Sequence, residues 1–451
     1  MLFIAYFYPP TESTGVPGSM RTVKFVRNLS NGECHVMTSA HSIPERDNAL
    51  NHLSIPINGE HVHRVASWDI FKLLLFVRQK LRNFFQQGSN GAKNSGTSKP
   101  VFKHTQSEHG SVKSGFQRLK DFIYNLCYFP DQAGPWIIPA VLAGRRIVRK
   151  HNMDIIFATG SPWSGLITGY LISKLTGKPF IADFRDPWMN NPFHQSKGAL
   201  LDRWGASLER KVVQHASAVS LNTPPLMEEF LTRYPQLKSD KFFIMPNGFD
   251  PADFDNLKPE PRLNDENTLL LCHAGFLYGV RDPEVLLEAI KAANQRLSGS
   301  GKRVVFRQIG DVQLNYDIHE RYADLIHDRS LIIDAPRPYQ ECLSALAAAD
   351  AVVNVQPATQ SQIPSKLYDY LGINRPIINI TSRDGALGQL VTDKQLGILV
   401  GFDEVAALTD ILVGEADAKA NRTFSGYESR DEFNIRSISG ILADKLVRYS
   451  I

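Results

Sequence analysis

Cysteine is scarce in this chain. Cys34, Cys127, Cys272 and Cys342 lie far apart in 451 residues, with no C-x-x-C pair and no histidine beside them at metal-ligand spacing. That usage excludes a disulfide framework or a zinc-finger layout and is expected of reduced core thiols in a cytosolic protein. Long apolar runs are missing too: none approaches the roughly 18 residues of a membrane span. The opening MLFIAYFYPP breaks at Pro9 and Pro10 without a basic leader, short of a signal peptide. The expectation is a protein neither secreted nor integral to a membrane. Charge of one sign is also lacking, with a net of +4 and 21% charged residues. No basic helix interleaved with aromatics offers a base-reading surface, so nucleic acid is not an expected partner. Neither G-x-x-x-x-G-K-[ST] nor G-x-G-x-x-G follows a strand-like run, which argues against a P-loop and against dehydrogenase chemistry.

What is present is a repeated rhythm. The β-branched or aromatic runs LFIAYF (2–7), CHVMTS (34–39), DIIFAT (154–159), PFIADF (179–184), AVSLNT (218–223) and FFIMPN (242–247) are each followed by a helix-like segment. The pattern restarts with LLLCHAG (269–275), RVVFRQIG (303–310), LIIDAP (331–336), AVVNV (351–355), PIINI (376–380) and GILV (397–400). Continuous apolar strands alternating with helices predict buried parallel sheets. Two sets of about six predict an α/β protein of two Rossmann-like, doubly wound domains facing across a cleft, with the carboxyl ends of both sheets toward it. The polar stretch after Asn247-Gly248 places the boundary: domains at 1–250 and 251–425, then an amphipathic helix at 426–451 able to pack on either. Asp253-Phe254-Asp255 falls in that acidic hinge and reads as solvated loop rather than a metal site, and HVH (61–63) reads as an ordinary alternating strand.

Residues 86–115, rich in Gly, Ser, Asn and Lys, read as a mobile insertion. Before it, DIFKLLLFVRQKLRNFF (69–85) is apolar on one side and basic on the other, and 71–120 hold ten Lys or Arg against the single acid Glu108. Either an anionic lipid surface meets 69–120, or this is a core helix with a solvated basic face.

Four stretches carry chemistry. In YPPTESTGVPGSMR, Gly15, Gly18 and Arg21 stand at a strand-to-helix turn, where backbone N–H groups and a helix N-terminus suit a phosphate or sugar. In IADFRDPWMNNP, Asp183, Arg185 and Asp186 end a strand, as a self-satisfied ion pair or as a polar cluster holding acceptor hydroxyls. In LLLCHAGFLYGVRDPE, His273 and Gly275 end a strand and Arg281 precedes a helix, where its planar fork suits a diphosphate. In SQIPSKLYDYLGINRPII, Ser365 is an N-cap candidate for a helix starting at Lys366, with Asp369 on the same face. Helix N–H groups plus the Lys366 ammonium would cradle a diphosphate.

FYPPTESTGVPGSMRTVKFVRNL, DIIFATGSPWSGLITGYLISKLTGKPFIADFRDPW, MPNGFD, HAGFLYGVRDPEVLLEAI and IPSKLYDYLGINRPII, in that order, resemble the GT-B glycosyltransferases, specifically the retaining family 4-like branch of bacterial polysaccharide and glycolipid biosynthesis. The resemblance implies a nucleotide-diphospho-sugar donor on the carboxyl-terminal domain and a lipid-linked or polysaccharide acceptor on the amino-terminal domain. It implies transfer with retention and without a metal or other cofactor, in the cytoplasm or on the inner face of the plasma membrane. Arg281 and Lys366 would neutralise the diphosphate, with Asp183 the third residue assigned to the reaction. Gly15, Gly18, His273, Gly275, Ser361, Ser365 and Asp369 would line the donor, Asp369 on its ribose, and Arg21, Arg185 and Asp186 would face the acceptor. The chain departs from that pattern in having Ser361 where relatives place an acid, Asp369 for a glutamate, Leu286 for a second phosphate-binding lysine, and Trp163 where some carry an acceptor-side histidine. A sugar-nucleotide epimerase of the same fold and a non-catalytic sugar-nucleotide-binding subunit remain as alternatives.

Overall fold

A computed structural model of the chain describes residues 1–12, 15–29, 32–40, 43–69, 71, 76, 80, 115–191, 196–261, 266–357, 359–421 and 423–450. Residues 86–114 of the expected insertion at 86–115 and most of the basic helix at 69–85 lie outside the described residues.

The strands fall into two parallel sheets. The first comprises β1 (Leu2–Ile4), β2 (His35–Ser39), β3 (His61–Val65), β4 (Ile156–Gly160), β5 (Phe180–Phe184), β6 (Ala218–Leu221) and β7 (Phe242–Ile244), in the order β3-β2-β1-β4-β5-β6-β7. The second holds β8 (Thr268–Ala274), β10 (Arg303–Ile309), β12 (Leu331–Asp334), β13 (Ala351–Val355), β14 (Ile377–Ile380) and β15 (Ile398–Val400), in the order β12-β10-β8-β13-β14-β15; the two-residue strands β9 (Leu277–Tyr278) and β11 (Val312–Gln313) pair separately. Each order reverses once, between β1 and β4 and between β8 and β13, which is the doubly wound topology predicted. The apolar runs are continuous because both faces are covered. Leu2 and Ile4 enter one core cluster and Phe3 and Ala5 another; Leu269 and Leu271 likewise part from Leu270 and Cys272. Period-two alternation thus feeds helical layers on both sides of each sheet.

The carboxyl-terminal helix, Ile435–Tyr449, packs on the amino-terminal domain, where Ile435, Ile438 and Leu442 join Phe3, Val23 and Phe243. Its return is fastened at Phe249, whose N–H donates to the Phe433 carbonyl (3.0 Å) and whose carbonyl accepts from Ile435 N–H (2.8 Å). The hinge departs from expectation. Asp253 is buried and ion-paired to Arg27 at 2.8 Å, and Phe254 packs beside Gly372; only Asp255 of the D-x-D is solvated. Sequence reading missed this because Arg27 comes from a helix more than 200 residues away. Of the four free cysteines only Cys272 is fully buried, the others being partly exposed. No helix among the described residues is long and apolar enough to cross a membrane.

Candidate active site

The loops leaving β1, β5, β8 and β13 meet between the domains and enclose two chambers of about 270 Å³ and 340 Å³, which share Pro17, Asn247 and Ser365 in their walls. This is the crevice at the carboxyl ends of the strands, beside the switch points, where open α/β sheets bind ligands.

Lys366 dominates the first chamber. Its Nζ lies 3.2 Å from His273 Nε2, while His273 Nδ1 lies 2.7 Å from Gln308 Oε1. Gln308 Nε2 in turn donates to the Gly275 carbonyl at 2.6 Å, which sets the amide's orientation. His273 therefore carries its proton on Nδ1 and accepts from the lysine at Nε2. Burial, then the Lys366 charge, holds the imidazole well below its usual pKa, so it stays neutral. Gly275 has φ +135°, and a Cβ there would stand 1.9 Å from Lys366 Nζ. The glycine is required by conformation and by the space the ammonium occupies. Burial and the neighbouring Arg281 depress the Lys366 pKa to about 7.

Arg281 lines the second chamber. Its guanidinium lies over the Tyr278 ring (5.2 Å to the centroid), and its Nε is buried without a hydrogen-bond partner among the described residues. An unpaired buried donor is costly unless a ligand satisfies it. Neither Arg281 nor Lys366 is ion-paired to a carboxylate among the described residues, and the two cations repel each other. The helix Lys366–Ile373 follows Ser365, but the serine side chain makes no cap bond. The Leu367 and Tyr368 N–H groups are used on the Pro364 and Ser365 carbonyls, and Ser365, at the start of that turn, lines both chambers.

Asp369 accepts from Lys24 Nζ (3.2 Å) and Tyr339 Oη (2.9 Å), both at Oδ1. Lys24 also donates to the Gly248 carbonyl at 3.0 Å. The pair joins the domains across the first chamber. Burial, then Asp369, raises the Tyr339 pKa well above its usual value, so the phenol remains a donor.

Asp183 is not placed to react. Arg21 grips it with Nε (3.2 Å to Oδ2) and Nη2 (2.9 Å to Oδ1), Thr159 and Ser220 hydroxyls donate at 2.7 and 2.6 Å, and only 1% of the carboxylate side chain is exposed. Arg21 spends its other donors on the Met245 and Pro246 carbonyls and Asn247 Oδ1. The expected catalytic role of Asp183 is thus replaced by a structural one: every usable lone pair is occupied. Arg21, expected to face the acceptor, holds the chain as it turns toward the second domain, although it still borders the first chamber.

Arg185 is not the arginine that pairs with Asp183; it donates to the Gly160 (3.1 Å) and Ser161 carbonyls. Asp186 lines the second chamber with Arg281 and accepts from Gln362 Nε2 of the other domain at 3.1 Å. Burial raises its pKa, opposed chiefly by Arg185. Ser361 does not line either chamber. It is buried, and its carbonyl accepts from Thr223 Oγ1 at 2.7 Å. Gly15 and Gly18 serve packing: a Cβ on Gly15 would strike Thr11 Oγ1 at 2.1 Å, and one on Gly18 would meet Phe7 and Arg185 at 3.1–3.2 Å. Their small size lets Val16 and Pro17 reach the cleft.

Lys24, Gln308, Tyr339 and Gln362 belong to the site and escaped sequence reading. Only Lys24 left a signal there, as the middle of Arg21, Lys24 and Arg27 at three-residue spacing on one helix.

Residues 110–253 match the family model described as Glycosyltransferase Family 4. No curated protein matches the chain. Among solved structures, Anabaena HepE in complex with UDP superposes with a TM-score of 0.58 at 14% identity, covering 99% of both chains. Sucrose-phosphate synthase from Thermosynechococcus elongatus gives 0.57 at 14%, covering 99% of this chain and 98% of that one. UDP-GlcNAc 2-epimerase from Methanocaldococcus jannaschii gives 0.51 at 13%, covering 99% of both. At such identities these likenesses show the fold, and it is GT-B. The family 4 match covers residues 110–253 of the amino-terminal half, and with the GT-B fold it supports reading the chain as a glycosyltransferase of the family 4-like type.

Proposed function

We propose that this enzyme transfers a sugar, with retention and without a metal, from a nucleotide-diphospho-sugar to a lipid-linked or polysaccharide acceptor. The observation that carries the donor site is the pair Arg281 and Lys366, two cations facing one cleft, neither of them ion-paired to a carboxylate among the described residues. A departing nucleoside diphosphate accumulates negative charge, and fixed donors held in advance stabilise that transition state more than the ground state. Two cations and the helix N–H groups supply in protein what a metal supplies elsewhere. Retention rests on the family likeness. Asp186, held by Gln362, supplies the cleft carboxylate that Ser361 does not, and stands beside Arg281 where donor sugar and acceptor meet.

Acceptor delivery fits a membrane face. Trp68, Phe122, Ile123, Leu126, Leu200 and Trp204 expose between 36% and 52% of their surfaces. In sequence, Trp68 precedes the basic stretch 71–120 and Phe122, Ile123 and Leu126 follow it, and exposed apolar side chains flanking basic sequence suit an interfacial surface.

The test is a thermal-shift screen of UDP, GDP, ADP and their sugars in chelator. One nucleoside diphosphate stabilises the protein without metal, and Arg281→Ala or Lys366→Ala removes the shift; retained shifts in both variants would refute the site. The epimerase likeness favours a second reading, decided by incubating the stabilising sugar-nucleotide without acceptor. An unchanged sugar supports transfer, an epimerised one supports epimerisation.

A further inference from the structure

Far from the cleft, the parallel pairing of β2 with β3 sets His35 opposite His61 and Met37 opposite His63. Residues two apart on a strand share a face, so His35, His61 and His63 stand together on one side of the sheet. His151, ending the helix Ile137–Lys150, closes over them with its ring centroid 4.4 Å from that of His35. Glu33, two residues before His35, reaches back along the same edge. Its Oε1 lies 2.8 Å from His35 Nε2 and 3.4 Å from His61 Nε2, and the three atoms fall within 4.8 Å of one another.

We propose that Glu33, His35 and His61 form a binding site for a divalent transition metal of the zinc type, with water in the fourth position. Zinc bonds of 2.0–2.1 Å set tetrahedral ligand–ligand edges of about 3.3 Å. Both edges from Glu33 are already near that length, and the third closes by a small swing of the exposed His61 side chain. Two imidazoles and a carboxylate are a borderline-soft set that suits zinc over magnesium or calcium. His35 is the buried floor, with none of its side chain exposed, while Glu33 and His61 form a mouth 56% and 59% exposed, so the ion has an entry path.

The outer partner is also in place. His35 Nδ1 lies 2.8 Å from His63 Nε2. A metal on His35 Nε2 moves the imidazole proton to Nδ1, which then donates to His63 Nε2, and His63 carries its own proton on Nδ1. Metal-bound histidines are characteristically oriented through their second nitrogen in this way. The role is structural. His35 and His61 begin their strands, whereas the cleft lies at the strands' carboxyl ends, and β3 is the edge strand of its sheet. The ion staples that edge strand and the turn before β2 to the sheet.

The untagged full-length chain, stripped by chelator, is titrated with zinc in competition with a chromophoric chelator, and cobalt(II) is used to read geometry. One equivalent binds, cobalt gives the intense visible bands of tetrahedral coordination, and zinc raises the melting temperature. Because Glu33 and His61 are surface residues, Glu33→Gln and His61→Ala fold normally and weaken zinc binding by at least about tenfold, removing its thermal shift. Nucleotide binding at the cleft is unchanged in both. No saturable binding, an octahedral cobalt spectrum, or wild-type affinity in both variants would overturn the site.

Discussion

Lys366 Nζ donates to His273 Nε2 across 3.2 Å, so the cation assigned to the diphosphate is held by a neutral base and not by an acid. A carboxylate in that place would neutralise Lys366 and compete with the donor. The imidazole fixes its position and leaves its charge available.

The first consequence is a pH dependence. Lys366 sits at a pKa of about 7 in the free enzyme, lowered by burial and by Arg281, and an adjacent diphosphate raises it. The lysine therefore contributes no pH dependence to binding of a nucleoside diphosphate below about pH 7. Above that, binding weakens up to tenfold per pH unit until the bound-state pKa is reached. At pH 8, binding takes up as much as one proton, which calorimetry in phosphate and Tris buffers measures from the difference in apparent enthalpy. Lys366→Met abolishes the uptake. For stability the sign is opposite to that of an ordinary ion pair: between pH 7 and the lysine's usual 10.5 the unfolded chain binds the extra proton. This group thus adds stability as pH rises, and Lys366→Met raises the melting temperature of the ligand-free enzyme at pH 6.

Gly275→Ala tests the space. It places a non-glycine residue at φ +135°, with its Cβ at 1.9 Å from the ammonium, so strain of about 1–3 kcal/mol accompanies displacement of Lys366. The variant loses nucleotide stabilisation as fully as Lys366→Ala while also melting lower. A wild-type nucleotide shift in Gly275→Ala would show that Lys366 has freedom to move.

Asp183 separates structure from chemistry. Removing it leaves the buried Arg21 guanidinium, 4% exposed, without its counter-charge, a change that costs about 3–5 kcal/mol. Asp183→Ala is expected to unfold at markedly lower urea, and to bind nucleotide nearly as the wild type at temperatures where it is folded. A variant of normal stability but without transfer activity would restore the catalytic reading.

How legible was all this in the sequence? The strands were, because sheets covered on both faces leave continuous apolar runs such as LLLC and AVVNV. The nearness of Lys366, His273, Gly275 and Arg281 to the cleft was legible as well, since they stand at or just after strand ends, where the topology forces the cleft. Their partners were not. Whether Asp183 meets Arg185, two residues away, or Arg21, 162 residues away, is decided by how a helix lies across the sheet. Local spacing offered Arg185 as a partner, and the fold supplies Arg21 instead. The histidines at 35, 61, 63 and 151 are similarly scattered in the chain, and only the β2–β3 register gathers them. The same holds for Asp253, which meets Arg27 only across the domain boundary.

The cleft carboxylate gives the last prediction. The resemblance implies an acid at the position of Ser361, but here that residue is 8% exposed and its carbonyl is held by Thr223. The next residue, Gln362, donates to Asp186 at 3.1 Å from across the cleft. That bond favours the charged carboxylate, whose pKa burial otherwise raises. Gln362→Ala removes the bond, so the acid limb of the pH–rate profile for transfer moves to higher pH, whereas Ser361→Ala leaves the profile in place. Ser361→Glu buries an unpaired acid and lowers stability without altering which sugar-nucleotide is used. A changed donor preference in Ser361→Glu, measured by competition between two sugar-nucleotides, would return the sugar contact to position 361 and take it from Asp186.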